Sequence, residues 1–276
     1  MKTADTIMIY DDSCPMCAAY TKAFVSTGLL ASAGRQSFSN VDSNLLSKID
    51  LAKSRHEIPL INTKNNTVLY GIDAMLDVLG HKLPLVKTIG TLKPVNFFLK
   101  KLYKLISYNR RVITASATRN HNFDCAPDFN VRYRLLLLCI GFCFNTFLLF
   151  PTYHHVFTHS IFNGATVSQL QIAHLAFVSF NILLSLKLPV NKAVDFLGQI
   201  NVLAIMYSLF MLPLIVSNQL FIISDVINTM LLFAVFFFMI LEYKRRMKYA
   251  GVLQDTSIIV LDAISAVLFL SYLVYA

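Results

Sequence analysis

The sequence predicts an α/β amino-terminal domain followed by an all-α transmembrane bundle of about five helices, and three observations support this prediction. Short apolar runs alternate with helix signals over the first 112 residues. The chain is 56% hydrophobic with a mean hydropathy of +0.59, which is too apolar for a soluble protein of 276 residues. Apolar residues are concentrated after Val131, whereas 18 of the 24 lysines and arginines lie in the first 134 residues. We therefore predict a domain at residues 1–112, a linker at 113–131 and a membrane domain at 132–276.

The elements of the first domain follow in the order strand, helix, strand, helix, hairpin, helix. They are expected at Ile7–Tyr10, Pro15–Thr27, Gln36–Asn40, Ser43–Ala52, Ile58–Asn62 with Thr67–Tyr70, and Ile72–Leu79. Pro15 suits the first position of a helix, where its missing amide hydrogen costs nothing, and Gly28 is typical of a helix end. This order of elements is that of a thioredoxin-like domain.

Two cysteines three residues apart, Cys14 and Cys17, open the first helix. At this spacing both sulfurs lie on one edge of the first turn, close enough to form a small disulfide. The helix dipole and the unpaired amides of the first turn favour the thiolate, so Cys14 is expected to be the nucleophile and Cys17 the resolving thiol. The alternative is half of a zinc site, but the soluble part contains no second Cys-x-x-Cys and no His-x-x-x-His.

Two further residues near the cysteine pair have two interpretations each. In thioredoxin-like domains an X-Pro bond before the third strand is commonly cis and lies against the cysteines, and Ile58–Pro59 occupies this position; the alternative is an ordinary proline opening an edge strand. Asp11 either forms a cap or turn before the helix or accepts the proton of the resolving thiol. As an anion it is expected to raise the pKa of the nearby cysteine.

Three segments, Tyr10–Cys17, Tyr70–Ala74 and Leu102–Arg110, together resemble the DCC family of predicted thiol-disulfide oxidoreductases. The resemblance covers roughly residues 6–112. The residues that match its pattern are Asp11, Cys14, Cys17, Gly71, Ala74, Tyr103 and Arg110. Asp12 stands where the family usually has glycine, so the turn before the cysteines is expected to differ. The resemblance implies redox activity on dithiols.

Five segments are long and apolar enough to cross a bilayer, at about residues 135–150, 170–186, 196–216, 220–241 and 256–276. Arg132 and Arg134 precede the first segment, and further basic residues separate the second from the third and the fourth from the fifth. The loops at 151–169 and 217–219 contain no lysine or arginine. By the positive-inside rule, the amino-terminal domain is cytoplasmic and the carboxyl terminus is outside. We expect a multi-pass protein of the cell membrane, interpreted as a bacterial inner membrane, without a cleavable secretion signal.

Polar residues within the predicted spans are expected to face the bundle interior, because they are costly in hydrocarbon. They are Asp225, Asn228, Asp262, Asn201, His174 and Asn181. A proton path, a quinone pocket or a structural hydrogen-bond network would each use them. His155 and His159 have a spacing that suits a metal or haem ligand pair if helical, and otherwise belong to an interfacial loop.

The remaining cysteines and one basic segment leave further alternatives open. Cys125 is a possible exchange partner of the dithiol or an incidental cysteine, and Cys139 and Cys143 form an electron relay or serve as small apolar residues.

The stretch Lys93–Arg111 is basic and amphipathic, so it either lies on the cytoplasmic headgroup surface or packs on the sheet.

These residues predict a membrane-anchored thiol-disulfide oxidoreductase that needs no cofactor, because thiol exchange requires neither metal nor flavin. The expected partners are a protein or small-molecule disulfide or dithiol and the lipid bilayer. The formal net charge of +9 is explained by topology and anionic headgroups, so no nucleic acid is expected. The competing interpretation is a membrane transport or binding protein whose soluble domain senses redox state.

Overall fold

A computed structural model describes residues 5–116, 127–221 and 223–275 and divides the chain into two compact units, residues 1–133 and 134–276. The first unit contains a four-stranded mixed sheet in the order β2-β1-β3-β4. Its strands are β1 (Thr6–Tyr10), β2 (Arg35–Ser37), β3 (Pro59–Asn62) and β4 (Thr67–Tyr70). β1 is parallel to β2 and antiparallel to β3, and β3 forms an antiparallel hairpin with β4. The predicted α/β class and hairpin are confirmed.

Six α-helices complete the first unit. They are α1 (Pro15–Ser26), α2 (Ser43–Leu46), α3 (Leu51–Ser54), α4 (Gly71–Gly80), α5 (Pro84–Thr91) and α6 (Lys93–Thr114). The single helix predicted at Ser43–Ala52 is wrong, because the Asp50 carboxylate accepts a hydrogen bond from the Lys53 amide at 3.0 Å and starts a separate helix. α5 was not predicted, although Pro84 occupies its first turn.

Both faces of the sheet are covered. Met8 and Leu60 point to one face, where they pack with Ala74 and Val78 of α4. The neighbouring residues Ile9 and Ile61 point to the other face and pack with Phe38 and Ile49. Successive residues of a strand alternate between faces, so β1 and β3 are buried on both sides and form the centre of the unit. The site described below lies where β1 ends and α1 begins.

The second unit is helical, and five helices are long and apolar enough to cross a membrane. They are α7 (Val131–His155), α8 (Val167–Ser185), α9 (Val190–Leu220), α10 (Asp225–Tyr249) and α11 (Thr256–Tyr275). The predicted number of spans is confirmed, but four helices, α7 to α10, extend beyond the predicted apolar segments, because helical backbone hydrogen bonding continues where the side chains become polar. α10 also begins later than predicted, at Asp225. The chain is a multi-pass membrane protein.

Amide side chains connect the helices of this unit. Asn201 of α9 donates to the Leu137 carbonyl at 3.1 Å, and Gly141 makes room for it because a Cβ there would lie 2.3 Å from the Asn201 amide nitrogen. Asn228 of α10 donates to the carbonyls of Val156 and His159, both at 2.8 Å. These bonds satisfy polar groups inside apolar surroundings, as expected of intramembrane polar residues.

Two charged residues differ in position from the prediction. Asp225 lies at the end of its span and does not face the bundle interior: it is the first residue of α10, where a carboxylate interacts favourably with the helix dipole, and its side chain is 64% exposed. Arg246, one of the basic residues predicted to separate the fourth and fifth spans, is part of α10, which continues to Tyr249. Its side chain is 1% exposed and is paired with Glu242 at 2.9 Å and Gln199 at 2.8 Å.

Candidate active site

Cys14 is the amino-terminal cap of α1. Its backbone is extended, and its sulfur accepts a hydrogen bond from the Cys17 amide at 3.4 Å, so the sulfur takes the place of the usual capping oxygen. Pro15 follows as the first helical residue and is exposed beside the buried sulfur. The side chains of Cys14 and Cys17 are buried and both are free thiols. The predicted strand, turn and helix are thus the elements that bring the two sulfurs together.

Asp11 forms the turn that leads into the helix and is buried. One carboxylate oxygen accepts the amide and hydroxyl hydrogens of Ser13, and the other accepts a hydrogen from the Arg110 guanidinium at 3.0 Å. Asp12, in the position where glycine was expected, does not have a positive φ, and its carboxylate accepts a hydrogen bond from Ser39 at 2.6 Å. The aspartate therefore costs no backbone strain in this turn.

Arg110 comes from α6, 93 residues beyond Cys17 in the chain, and its guanidinium contacts both acidic groups of the site. One nitrogen bonds Asp11, and another lies 3.9 Å from the Cys17 sulfur. The side chains of Arg110 and Asp11 are each 7% exposed, so this ion pair is buried. A buried arginine beside two sulfurs stabilises whichever sulfur carries negative charge.

The two thiols have opposite pKa shifts. The hydrogen bond from the Cys17 thiol, together with the Cys17 amide and Arg110, outweighs burial and lowers the pKa of Cys14 to about 6; the Asp11 carboxylate raises it, as predicted. The same thiol hydrogen bond and burial raise the pKa of Cys17 well above its usual range. One thiolate and one thiol at neutral pH are the pair that disulfide exchange requires, because only a thiolate attacks a disulfide.

Two tyrosines border the dithiol. Tyr20 lies one turn after Cys17 and interacts with its thiol, and burial raises the pKa of this tyrosine well above its usual range. The Tyr103 hydroxyl accepts a hydrogen bond from the Ile58 amide at 3.0 Å, and burial likewise raises its pKa. Gly71, with φ +58°, lets Tyr103 approach, since a Cβ there would lie 3.1 Å from the ring. Tyr103 of α6 is thus fixed against the hairpin.

Pro59 is the first residue of β3, opposite Tyr70, and is buried. The Ile58–Pro59 bond is trans, so the predicted cis alternative is wrong. β3 is a central strand rather than an edge strand, and proline is tolerated there because the first residue of β3 donates no ladder hydrogen bond to β1.

The other predicted candidates do not join this site. Cys125 lies outside the described residues. Cys139 and Cys143 are on α7 and exposed. His159 lies 3.8 Å from the Asp225 carboxylate, and His155 contacts Gln219 at 3.1 Å. Within the described ranges, no three histidine, cysteine or acidic residues form a group able to hold a metal ion.

Residues 8–116 match the DCC1-like thiol-disulfide oxidoreductase family. The match confirms the resemblance seen in the motifs and includes the whole cluster around Cys14. It covers the amino-terminal part of the chain, and the five apolar helices follow it as a fused membrane domain. No curated protein and no solved structure matches the chain.

The two contacts that the sequence did not predict are those of Arg110 and Tyr20 with the dithiol. Arg110 was visible only as a matching position in the family pattern, since nothing in its own segment indicates a partner at the end of β1. Tyr20 follows Cys17 by three residues, the spacing at which helical side chains are neighbours, and this signal would have placed it beside the resolving thiol.

Proposed function

We propose that the chain is a membrane-anchored thiol-disulfide oxidoreductase in which Cys14 is the nucleophile and Cys17 the resolving cysteine. The observation that supports this role best is the position of the Cys14 sulfur as the cap of α1, where it accepts the Cys17 amide. A thiolate at a helix terminus is stabilised by the dipole and by this amide before any substrate arrives. The family match of residues 8–116 supports the same chemistry.

In the first step the Cys14 thiolate attacks one sulfur of a substrate disulfide. A bond forms between the Cys14 sulfur and the attacked sulfur, the substrate disulfide breaks, and its second sulfur leaves as a thiolate that takes a proton from solvent. The negative charge thereby moves from Cys14 to the leaving sulfur. Pro15, the next residue, fixes the backbone at the helix start and is itself exposed beside the sulfur.

In the second step Cys17 loses its proton and attacks the Cys14 sulfur of the mixed disulfide. The bond between Cys14 and Cys17 forms as the bond between Cys14 and the substrate sulfur breaks. The substrate sulfur leaves as a thiolate and takes up a proton, and the proton lost by Cys17 passes to solvent. The guanidinium of Arg110, 3.9 Å from the Cys17 sulfur, stabilises the thiolate that this step requires. Asp11 is already paired with Arg110, so it acts as a positioning residue that holds the guanidinium in place.

We further propose that the redox unit faces the cytoplasm. Arg132 and Arg134 lie in the first turn of α7, Lys187 and Lys192 lie at the connection between α8 and α9, and further basic residues lie at the end of α10. The connections from α7 to α8 and from α9 to α10 contain no lysine or arginine. On this side a cellular dithiol reductant regenerates the enzyme, and the substrates are protein or small-molecule disulfides near the membrane.

Trapping of the mixed disulfide tests the proposal. In the Cys17→Ser variant the second step is blocked, so a covalent complex through Cys14 should accumulate and dissolve on reduction. The matched control, Cys14→Ser, leaves the other cysteine in place and should trap nothing. Purified Cys17→Ser protein that neither forms a mixed disulfide with a peptide disulfide nor captures a partner in cells would overturn the assignment.

A second candidate function is that of a membrane transport or binding protein regulated by its redox unit. One observation favours it: a cavity of about 520 Å³ in the helical unit is lined by apolar side chains and by Asp262, which is 3% exposed. Replacement of Asp262 by asparagine should leave dithiol exchange unchanged if the helices only anchor the enzyme. Loss of cellular function with full exchange activity would favour the transport role.

A further inference from the structure

The first unit exposes large apolar side chains over one short segment, α5 and the amino-terminal half of α6. Leu85 is 74% exposed, and Phe97 and Phe98 are 66% and 64% exposed. The other exposed apolar residues of this segment are Leu83, Val86, Ile89, Leu92, Leu102 and Ile106. In the rest of residues 5–116 only Leu51 and Leu69 are comparably exposed. We call this segment the α5–α6 surface; a patch of this extent is typical of an interaction site.

Packing within the first unit explains why the side chains of these residues are exposed to solvent. The carboxyl-terminal half of α6 is the buried half, with Leu105, Asn109 and Val112 inside and Arg110 at the dithiol. α5 is held against α4 through Gly90, where a Cβ would lie 2.4 Å from Leu76. The α5–α6 surface therefore lies on the outer side of helices whose other sides are already packed.

The charge of this segment has one sign. Residues 78–116 contain eight lysines and arginines and no aspartate or glutamate. Lys93, Lys101 and Lys104 are exposed, and the Lys101 ammonium lies 5.3 Å from the Phe97 ring centre. Helices that lie in a membrane interface typically combine aromatic and leucine side chains with lysines. The long aliphatic part of a lysine side chain lets its charge reach water.

We infer that the α5–α6 surface binds the headgroup region of the bilayer and prefers anionic lipid. A bilayer is within reach, because α6 ends at Thr114 and the first membrane helix begins at Val131, so the 16 residues between them extend to at most about 55 Å. Lys87 and Lys100 are paired with Asp77 and Asp73 of α4. Lys93, Lys101 and Lys104 are exposed and form no ion pair within the described residues, so their ammonium groups can interact with phosphate headgroups. This inference does not depend on the chemistry of the cysteines.

Lipid photolabelling of the full-length protein in nanodiscs tests the inference. One set of discs contains phosphatidylcholine alone and the other contains phosphatidylcholine with phosphatidylglycerol, and both carry a lipid with a diazirine near its headgroup. Labelled peptides are identified by mass spectrometry, with α10 as the internal standard for membrane contact. We expect label on α5 and α6 in both sets and more label in the anionic set, a difference that high salt should remove.

The double variant Phe97→Ser/Phe98→Ser should lower labelling of the segment by more than about tenfold, because each buried phenylalanine contributes a factor of about ten or more to partition. The matched control Leu51→Ser changes an exposed apolar residue outside the α5–α6 surface and should leave labelling unchanged. Lys101→Gln/Lys104→Gln should abolish the preference for phosphatidylglycerol while α10 remains labelled.

Three results would overturn the inference. One is absence of label on α5 and α6 while α10 is labelled. Another is equal labelling of the phenylalanine variant and the wild type. The third is chemical cross-linking of this segment to a second copy or another protein without lipid label, which would assign the surface to a protein partner.

Discussion

The reactivity of Cys14 should follow a pH profile centred near 6. Hydrogen bonds from the thiol and amide of Cys17, with the charge of Arg110, lower the pKa of Cys14 to about 6. About nine-tenths of Cys14 is then thiolate at pH 7, whereas a cysteine with the ordinary pKa of about 8.5 is only about one-thirtieth thiolate. Since only the thiolate is alkylated, the rate should rise as pH increases through 6 and level off above about 7.

Removal of the thiol that donates to Cys14 is the decisive perturbation. Cys17→Ala deletes the hydrogen bond that lowers this pKa most, so the midpoint should move up toward the ordinary value and the rate at pH 7 should fall by up to about thirtyfold. Cys17→Ser keeps a hydroxyl donor at the same position and should show a smaller upward shift. The assay is iodoacetamide labelling of Cys14 between pH 4.5 and 9.5, read by peptide mass spectrometry, with N-acetylcysteine as the reference thiol.

Two outcomes would refute this reasoning. A wild-type midpoint near that of N-acetylcysteine would mean that the dithiol geometry does not stabilise the thiolate. A midpoint near 6 that stays unchanged in Cys17→Ala would assign the effect to the backbone amide and Arg110 instead of the neighbouring thiol.

Three further substitutions test the contacts around the site by thermal unfolding. Arg110→Met leaves the buried Asp11 carboxylate unpaired and should cost about 3–5 kcal/mol of unfolding free energy, much of which Asp11→Asn in the same chain should restore. Tyr103→Phe removes the acceptor of the Ile58 amide and should cost about 1–3 kcal/mol. Gly71→Ala adds strain at φ +58° and a contact with Tyr103, so it should cost more than the about 1–2 kcal/mol of the left-handed backbone alone.

Matched variants separate these causes. Arg110→Lys keeps the charge and should retain part of the stability. Gly28→Ala meets the same backbone cost at φ +67° but contacts only the flexible end of Lys82, so it should be milder than Gly71→Ala. Tyr70→Phe removes the acceptor of the exposed Asp50 amide, which water can replace, and should cost less than Tyr103→Phe. Equal costs within each pair would contradict the contacts described.

Local sequence signals predicted most of the helices and strands of the first unit, because the start and end of each element depend on a few neighbouring residues. Pro15 and the apolar run before it define the β1–α1 junction, and the turn between Asn62 and Thr67 defines the hairpin. The signals failed where a single side chain changes the chain path. The Asp50 cap divides the predicted second helix, and Pro84 starts a helix in a stretch for which no element was predicted.

The site was predicted only as far as its residues are close in sequence. Cys14, Cys17 and Asp11 lie within seven residues, and the interpretation of Asp11 as a turn former agrees with its bonds to Ser13. The contact of Arg110 depends on how α6 crosses the sheet, and this tertiary placement leaves no local pattern. The same limit applies to Arg246, whose burial depends on Glu242 and on Gln199 of a different helix.

The capping role of the Cys14 sulfur has a consequence for the direction of electron flow. The hydrogen bonds that favour the thiolate weaken once that sulfur is neutral in a disulfide, so the protein stabilises its dithiol form more than its disulfide form. A couple whose reduced form is stabilised has a higher reduction potential. The oxidised enzyme is therefore a stronger electron acceptor than a cysteine pair without this cap, and a substitution that raises the pKa of Cys14 while keeping both cysteines should make the couple more reducing.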